Sequence, residues 1–334
     1  MAHIAAMVPG ALVVTYDLSA RSRAILAEEL GDAAPAVYLR ELGEDERAAA
    51  LRNAAALLSY NTAVELAPSE LPLIAGARLL QFTTAGIDWI PLKDLPPGLP
   101  IAANRGASAE PMAEHIVAMA LAAAKRLFVE HENLRHGEFN QRGQNRMLRG
   151  GVCGILGFGA VGAATARLVR GFGMQVHAIN RRGSSDEPVD WIATPEGLRE
   201  MLGVADLLVV AAALTRTSEG LIGAPELALM KDDAILVNVA RGEIVDETAL
   251  YEHLKAHPHF TACIDAWWIE PVRHGRFAMG HPFLDLPNVI GSPHNSAGGG
   301  VWRDVSLRRA VANCRRALIG ERPVHVARDE ERMM

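Results

Sequence analysis

A glycine-rich turn at residues 157–162 (GFGAVG) constrains the fold of this 334-residue chain more than any other feature. The apolar run before it, residues 152–156, is typical of a buried parallel strand, and the alanine-rich stretch after it is typical of a helix that ends near Gly171. In such a strand–turn–helix unit the first glycine permits a tight turn, the second leaves room for a pyrophosphate, and the third lets helix and strand pack closely. The amides at the start of the helix then face the phosphates. The pattern predicts a dinucleotide site, and the alternative is a tight turn that binds no ligand.

The residues that follow the next predicted strand bear on the choice of nucleotide. That strand covers residues 174–179, and 18 positions past Gly162, where an acidic residue usually binds the ribose hydroxyls of NAD, the chain has the neutral Asn180. Arg181 and Arg182 come next. A 2′-phosphate would be repelled by a carboxylate and can be bound bidentately by a guanidinium. This loop favours NADP(H) over NAD(H), although an exposed basic loop without a ligand could have the same sequence.

Alternating strand and helix patterns surround the glycine turn on both sides. Repeated βα units of this kind predict an α/β protein with doubly wound parallel sheets, and the length predicts two domains. One long helical pattern, residues 106–136, is placed to link them. Ligands bind beyond the carboxyl ends of parallel strands, so the turn Ala85-Gly86-Ile87 is either a candidate site or an ordinary glycine turn. The charged tail from Glu321 onward is expected to be frayed.

Composition and charge disfavour several classes of function. The net charge of −6 argues against nucleic acid as a main partner. No apolar run reaches the length of a membrane span, and residues 1–10 lack the basic start and long apolar core of a signal peptide. Three scattered cysteines, Cys153, Cys263 and Cys314, are expected to be reduced in a cytoplasmic protein, and no Cys/His spacing predicts a metal site.

Polar residues at the ends of successive predicted strands indicate a reactive site. Arg241, Asp265 and His294 each come at or just after the C-terminal end of a strand, and these ends share one rim of a parallel sheet. Reduction of a 2-keto acid needs a cation that binds the carboxylate and an acid that protonates the developing alkoxide. Arg241 suits the first role and His294 the second, with Glu270 as a carboxylate that would favour the protonated imidazole. Taken singly, each residue has a structural alternative, such as a surface ion pair for Arg241.

Several segments together resemble the D-isomer-specific 2-hydroxyacid dehydrogenases. Residues 237–247 (VNVARGEIVDE) resemble the signature of that family, residues 265–271 (DAWWIEP) its Asp…Glu-Pro segment, and residues 287–294 (PNVIGSPH) its histidine segment. Residues 84–88 and 113–115 resemble its substrate loop and linker helix. The resemblance covers nearly the whole chain and implies an NAD(P)-dependent oxidoreductase that acts on CH-OH groups. It further implies a homodimer in which a Rossmann domain, residues 106–297, is inserted in a flavodoxin-like substrate domain, residues 1–105 and 298–334.

The resemblance also implies roles for individual residues. Arg241, Glu270 and His294 would form the catalytic set. The substrate would contact Arg241, His294 and the turn Ala85-Gly86-Ile87. The residues expected to contact the cofactor are Gly157, Gly159, Ala160, Val161, Gly162, Asn180, Arg181, Arg182, Ala212, Val239, Ala240, Arg241, Asp265, His294 and Ala297.

The sequence departs from the family pattern in ways that bear on the substrate. Residues 211–215 (AAALT) replace the usual His-x-Pro-Leu-Thr, and residues 272–280 form a longer segment with three basic side chains. Glu270 stands where the formate dehydrogenases of the superfamily have Gln, which disfavours formate. The sequence favours an NADP(H)-linked reductase of a small 2-keto acid such as glyoxylate or hydroxypyruvate. The alternatives are a related dehydrogenase of phosphite or of a bulkier D-2-hydroxy acid, and a non-catalytic nucleotide-sensing protein like the corepressors that resemble the family.

Overall fold

Short apolar segments alternate with helices along the whole of residues 10–328, which are the residues that the computed structural model describes. The absence of a signal peptide was predicted for residues 1–10, and all of these except Gly10 lie outside the described range. The chain divides into two compact units. Unit 1 comprises the residues up to Ser108 together with those from Gly299 onward, and unit 2 is Ala109–Gly298.

The strands and helices of the described residues are numbered here in chain order. The strands are β1 Ala11–Val14, β2 Ala36–Tyr38, β3 Ala54–Ser59, β4 Leu79–Phe82, β5 Ile101–Ala102, β6 Val152–Leu156, β7 Gln175–Ile179, β8 Trp191–Ala193, β9 Leu207–Val210, β10 Ile235–Asn238, β11 Thr261–Ile264 and β12 Val289–Gly291. The helices are α1 Ala20–Leu30, α2 Glu44–Asn53, α3 Thr62–Glu65, α4 Ala109–Ala124, α5 Leu127–Arg135, α6 Ala160–Gly171, α7 Leu198–Val204, α8 Ala224–Leu227, α9 Glu247–Ala256, α10 Pro271–His274 and α11 Gly300–Leu318.

Unit 1 is built on a five-stranded sheet in the order β2-β1-β3-β4-β5. Each pair of neighbouring strands is parallel, which is the flavodoxin-like order with helices on both faces. Helix α1 begins where the Ser19 hydroxyl accepts a hydrogen bond from the amide of Ser22. Helix α11 packs against α1, β3 and β4 and buries Leu307, Val311 and Cys314.

Unit 2 is built on a seven-stranded parallel sheet in the order β12-β11-β10-β9-β6-β7-β8. The four residues of β9 and the four of β10 are all buried, as expected for central strands covered on both faces. The direction of strand order reverses between β6 and β9, and this switch point is where doubly wound sheets bind their ligands. The two sheets confirm the predicted fold class, two doubly wound α/β domains of which one is a Rossmann domain.

Two local predictions are wrong. The pattern over residues 106–136 predicts one helix, whereas α4 and α5 are separate because Arg126 takes the left-handed conformation with φ 52°. The predicted fraying fails for the described part of the tail. The amide of Ala327 donates to the carbonyl of Ile101 at 2.7 Å, and Val326 bridges to Ala102, so this segment pairs with the edge strand β5. None of the helices within residues 10–328 combines the length and apolar character that crossing a bilayer requires.

Candidate active site

The glycine turn after β6 has the geometry of a phosphate-binding turn. Gly157 has φ 97°, and a Cβ on it would lie 2.3 Å from the backbone nitrogen of Ala212, so no larger residue can occupy this position. A Cβ on Gly162 is already within 3.1 Å of the Ile155 side chain, which reflects close packing of α6 on β6. A Cβ on Gly159, by contrast, would meet nothing within 4 Å. The middle glycine therefore faces open space, where a ligand can approach the backbone.

The start of helix α6 offers backbone amides beside that space. The first hydrogen bond of the helix runs from the amide of Ala163 to the carbonyl of Gly159 at 2.9 Å. The amides of Ala160, Val161 and Gly162 precede this bond and have no carbonyl one turn earlier to bind. Gly159 and Ala160 are exposed, and α6 has no side-chain cap. An uncapped helix start next to an open glycine fits a pyrophosphate, because both the amides and the helix dipole favour an anion.

The loop after β7 is shaped by Asn180 and presents two arginines. The Asn180 Oδ1 accepts from the amides of Arg182 and Gly183, both at 2.9 Å, and its Nδ2 donates to the carbonyl of Ser184 at 2.9 Å. Asn180 thus builds the turn through its own side chain. Arg181 and Arg182 are exposed on this turn.

The loop after β10 carries Arg241 and lies against the loop after β11. The buried Asn238 side chain organises it, donating to the carbonyl of Arg241 at 2.9 Å and accepting from the amide of Ala240 at 3.0 Å. A Cβ on Gly242 would lie 2.5 Å from the backbone of Trp267 and Trp268. Only glycine lets the two loops approach so closely, and this brings Arg241 toward Glu270.

Glu270 and His294 are in direct contact. The Nδ1 of His294 lies 2.8 Å from each carboxylate oxygen of Glu270, and Glu270 also accepts from the amide of Trp267 at 2.7 Å. Burial alone would raise the pKa of Glu270, but the bond and charge of His294, the Trp267 amide and the charge of Arg241 together hold that pKa below its usual value. Because Nδ1 is engaged, Nε2 is the ring nitrogen left for a substrate, on a side chain that is 30% exposed.

Asp265 fixes the loop that carries His294. Its fully buried carboxylate accepts from the Ser292 hydroxyl at 2.5 Å and from the amides of Asn295 and Ser296 at 3.1 and 3.2 Å. Its carbonyl accepts from the amide of His294 at 2.9 Å. His294 has φ 49°, a conformation that costs a non-glycine residue about 1–3 kcal/mol and persists only where the surroundings impose it. Asp265 supplies much of that constraint.

Two supports of the site were not found from the sequence. His115 on α4 places its Nε2 3.0 Å from the Ser292 hydroxyl and 3.7 Å from the Asp265 carboxylate. Arg273 on α10 pairs with Glu243 at 2.5 Å and so ties the segment after Glu270 to the loop of Arg241. In the sequence, His115 belongs to the segment 113–115 that resembles the linker helix of the family, and Arg273 belongs to the longer 272–280 segment, but neither pattern assigns the contact.

The remaining predicted site residues are placed as follows. In unit 1 the turn after β4 leaves Ala85 exposed and Ile87 buried, and the carbonyl of Gly86 accepts from the Trp89 indole at 3.1 Å. Any contact of Ile87 with a ligand would therefore be through its main chain. In unit 2 Val239 and Ala240 are buried, Ala212 lies over Gly157, and Ala297 is exposed. Within residues 10–328 no group of three or more histidine, cysteine or acidic side chains is arranged to hold a metal ion.

The reversal of strand order, the open glycine turn and the uncapped helix start define unit 2 as a dinucleotide-binding α/β domain. Residues 117–296 match the family described as "D-isomer specific 2-hydroxyacid dehydrogenase, NAD binding domain". The chain belongs to the D-isomer specific 2-hydroxyacid dehydrogenase family.

Individual relatives agree with this assignment. The chain is 35% identical over 182 residues to a glyoxylate reductase of Thermococcus gammatolerans, which covers 52% of this chain and 53% of the relative. It is 32% identical over 238 residues to the peroxisomal glycerate dehydrogenase HPR of Arabidopsis thaliana, covering 65% and 60%. The structure superposes with a TM-score of 0.79 on a candidate formate dehydrogenase of Pyrobaculum aerophilum, at 28% identity over 96% of this chain and 98% of that one. The aligned regions thus span little more than half the length of the curated relatives.

Proposed function

We propose that this protein is an NADP(H)-linked reductase of a small 2-keto acid, of the glyoxylate or hydroxypyruvate type. The observation that carries the proposal is the dyad of His294 and Glu270, in which Nδ1 lies 2.8 Å from the carboxylate. The positive charge of Arg241 also acts on this carboxylate. A buried carboxylate bonded to one ring nitrogen holds the imidazole in one orientation and leaves the other ring nitrogen for the substrate. The glyoxylate and glycerate relatives suggest the substrate class.

Each side chain has a separate task in this proposal. The Arg241 guanidinium binds the carboxylate of the substrate and polarises its carbonyl, because its planar fork matches a carboxylate. The Nε2 of His294 donates a proton to the alkoxide as it develops, and Glu270 stabilises the imidazolium meanwhile. The bound nicotinamide supplies the hydride. The amides of Ala160 and Val161 would hold its pyrophosphate, and residues 1–105 with 298–334 would form the substrate domain.

The preference for NADP(H) rests on the turn after β7. A neutral Asn180 stands where a carboxylate would repel a 2′-phosphate, and its side chain is used inside the turn. Arg181 and Arg182 are exposed beside it, so their guanidinium groups are accessible to the 2′-phosphate of a bound cofactor. Arg181→Asp should shift the ratio of kcat/KM values for NADPH and NADH at least tenfold toward NADH. An unchanged ratio would contradict this reading of the loop.

The substrate class is tested by the loss of reduced nicotinamide absorbance with a panel of acids. NADPH and NADH are compared side by side with glyoxylate, hydroxypyruvate, pyruvate and phenylpyruvate, and formate and phosphite are tested in the oxidative direction. Activity is expected with the small keto acids.

Arg241→Ala should lower kcat/KM by about 10²–10³-fold, the usual loss when one stabilising donor is removed. Arg199→Ala, at an exposed site of the same unit, is the matched control. Full activity in Arg241→Ala would refute the proposed role, and binding of NADPH without turnover of any acid would favour a nucleotide-sensing protein.

We also propose that the protein is a cytoplasmic homodimer. The segment around α5 exposes large apolar side chains, with 55–77% of their surface accessible, and we assign it to a homodimer interface: Leu127, Phe128, Leu134, Phe139 and Met147. Light scattering should give the mass of a dimer, and Phe128→Glu combined with Leu134→Glu should give a monomer. The three free cysteines are buried, and burial raises the pKa of the Cys153 thiol to about 12, which suits a reducing cytoplasm.

A further inference from the structure

Unit 1 contains a small cavity that the proposed reaction does not use. It lies between α11, the end of β5 and the returning segment at residues 324–325, and its volume is about 160 Å³. Since a water molecule takes about 30 Å³ of liquid, this is the space of about five waters. Three polar side chains that are at least 96% buried, Gln81, Asn104 and Asn313, form part of its wall. Gln81 and Asn313 are bonded to one another at 2.6 Å, so the wall is fixed.

One face of α11 brings two guanidinium groups to the cavity. Arg309, Ala312, Asn313 and Arg316 all line it and follow the i, i+3, i+4, i+7 spacing of a single helix face. The short Ala312 side chain leaves space between the two arginines. Arg309 donates to the carbonyl of Arg105 at 3.3 Å, and it forms no ion pair within residues 10–328.

A neighbouring face of the same helix carries an arginine whose charge is fully paired. There Arg308 binds Glu28 and Glu29 at 2.7 and 2.6 Å. On the cavity face the one acidic partner among the described residues is Glu321, which lies 3.6 Å from Arg316 in a pair whose side chains are about half exposed. Exposed pairs of this kind contribute about 0–1 kcal/mol. The cavity therefore keeps an excess of positive charge.

His325 adds a third donor to the same cavity. It lines the cavity in the left-handed conformation, with φ 57°. Burial and then the charges of Arg309 and Arg105 lower the pKa of its imidazole. Arg309 and Arg105 are thus close enough to repel a proton from the ring. An anion between these groups would relieve that repulsion.

We propose that this cavity binds a small oxyanion of the size of sulfate or phosphate, held by Arg309, Arg316 and His325. Arginine binds such oxyanions with two parallel hydrogen bonds, and a partly enclosed site strengthens each of them. The site is formed entirely by unit 1 residues and does not depend on the proposed reductase activity. Either a free ion or the terminal phosphate of a metabolite presents the same chemistry.

The His325 imidazole reports binding directly in a proton NMR titration of the whole protein. Its resonance is assigned as the one lost in His325→Asn. Sulfate is the probe because its charge is constant across the titration, and sodium chloride at equal ionic strength is the reference. We expect saturating sulfate to raise the pKa of His325 by about one unit, because an anion replaces repulsion with attraction. Phosphate and glycerol 3-phosphate, compared at one pH, then distinguish a free ion from a phosphate ester.

Two variants separate this site from other anion sites. Arg309→Gln should raise the pKa of His325 without sulfate and reduce the sulfate response at least tenfold in affinity. Arg315→Gln, an exposed arginine that does not line the cavity, and Arg181→Gln at the cofactor turn should both leave the response unchanged. A pKa of His325 that responds equally to chloride, or a sulfate response that survives Arg309→Gln, would overturn the proposal.

Discussion

Replacing Glu270 by glutamine tests the proposed dyad without changing its shape. The glutamine side chain would keep one carbonyl oxygen to accept from the amide of Trp267 or from His294, while the other oxygen would become an uncharged NH2 group. The charge matters here because Glu270 is 7% exposed and its carboxylate is 2.8 Å from the Nδ1 of His294. Solvent therefore screens the pair weakly.

The size of the effect follows from the type of hydrogen bond. A bond to a charged group contributes about 1.5–3 kcal/mol and a neutral one about 0.5–1.5 kcal/mol. The difference of about 1–1.5 kcal/mol corresponds to about a tenfold change. In the reductive direction the imidazole must carry a proton, so Glu270→Gln should lower kcat/KM about tenfold near neutral pH.

The assay is the rate of NADPH oxidation near neutral pH with whichever small keto acid the wild type reduces best. Glu196→Gln, at an exposed glutamate of unit 2, serves as the matched control and should keep the wild-type kcat/KM. Urea unfolding of both variants shows whether the fold is retained. If Glu270→Gln folds normally and keeps the wild-type kcat/KM, Glu270 does not take part in proton transfer by His294.

Three further predictions follow from the described contacts. Gly157→Ala combines a left-handed backbone with a clash against Ala212 and should lower the free energy of unfolding by about 2–6 kcal/mol, as measured by urea unfolding. Gly159→Ala faces open space, so its free energy of unfolding should stay within about 1 kcal/mol of the wild type. It should instead weaken cofactor binding, which a cofactor titration measures. Because the pKa of Glu270 is lowered on folding, its ionisation stabilises the protein above the ordinary glutamate pKa of about 4.3. This stabilisation is lost as the pH falls through the lower folded value. The free energy of unfolding should therefore fall more steeply between about pH 5 and pH 3 in the wild type than in Glu270→Gln. Asp265→Asn replaces one of the two oxygens that accept backbone amides by an NH2 donor and should cost about 1–3 kcal/mol, with a fall in kcat that exceeds any change in KM. Wild-type kinetics would argue against its positioning role.

The glycine turn could be predicted because each glycine answers a local steric demand. The separate environments of Gly157, Gly159 and Gly162 match the three roles that the spacing implies: a tight turn, an open approach and close packing. The break between α4 and α5 could not be predicted in this way. Alanine, leucine and lysine favour a helix on both sides of Arg126, and the carbonyl of Arg146, which accepts from Lys125 at 2.6 Å, comes from 21 residues further along the chain.

The meeting of the candidate catalytic residues has a topological origin. Arg241, Glu270 and His294 follow β10, β11 and β12, which are consecutive neighbours in one parallel sheet. Parallel strands end on the same rim, so residues that are 53 positions apart in sequence are brought together by strand order alone. Strand ends alone point to Arg241, Asp265 and His294, whereas Glu270 was predicted as the carboxylate beside His294 and by the resemblance to the family.

Topology places loops within reach of one another, but it does not set their distances to a fraction of an ångström. That precision comes from contacts that no strand pattern encodes. Gly242 admits the backbone of Trp267, and the Asp265 carboxylate holds the left-handed turn at His294 from both sides, through Ser292 before it and the two amides after it. Such contacts depend on side-chain volume and direction at a single position, which composition and periodicity leave undefined. A chain with the same strand order and the same three reactive residues, but alanine in place of Gly242, would therefore keep its fold class and lose the approach of Arg241 to Glu270.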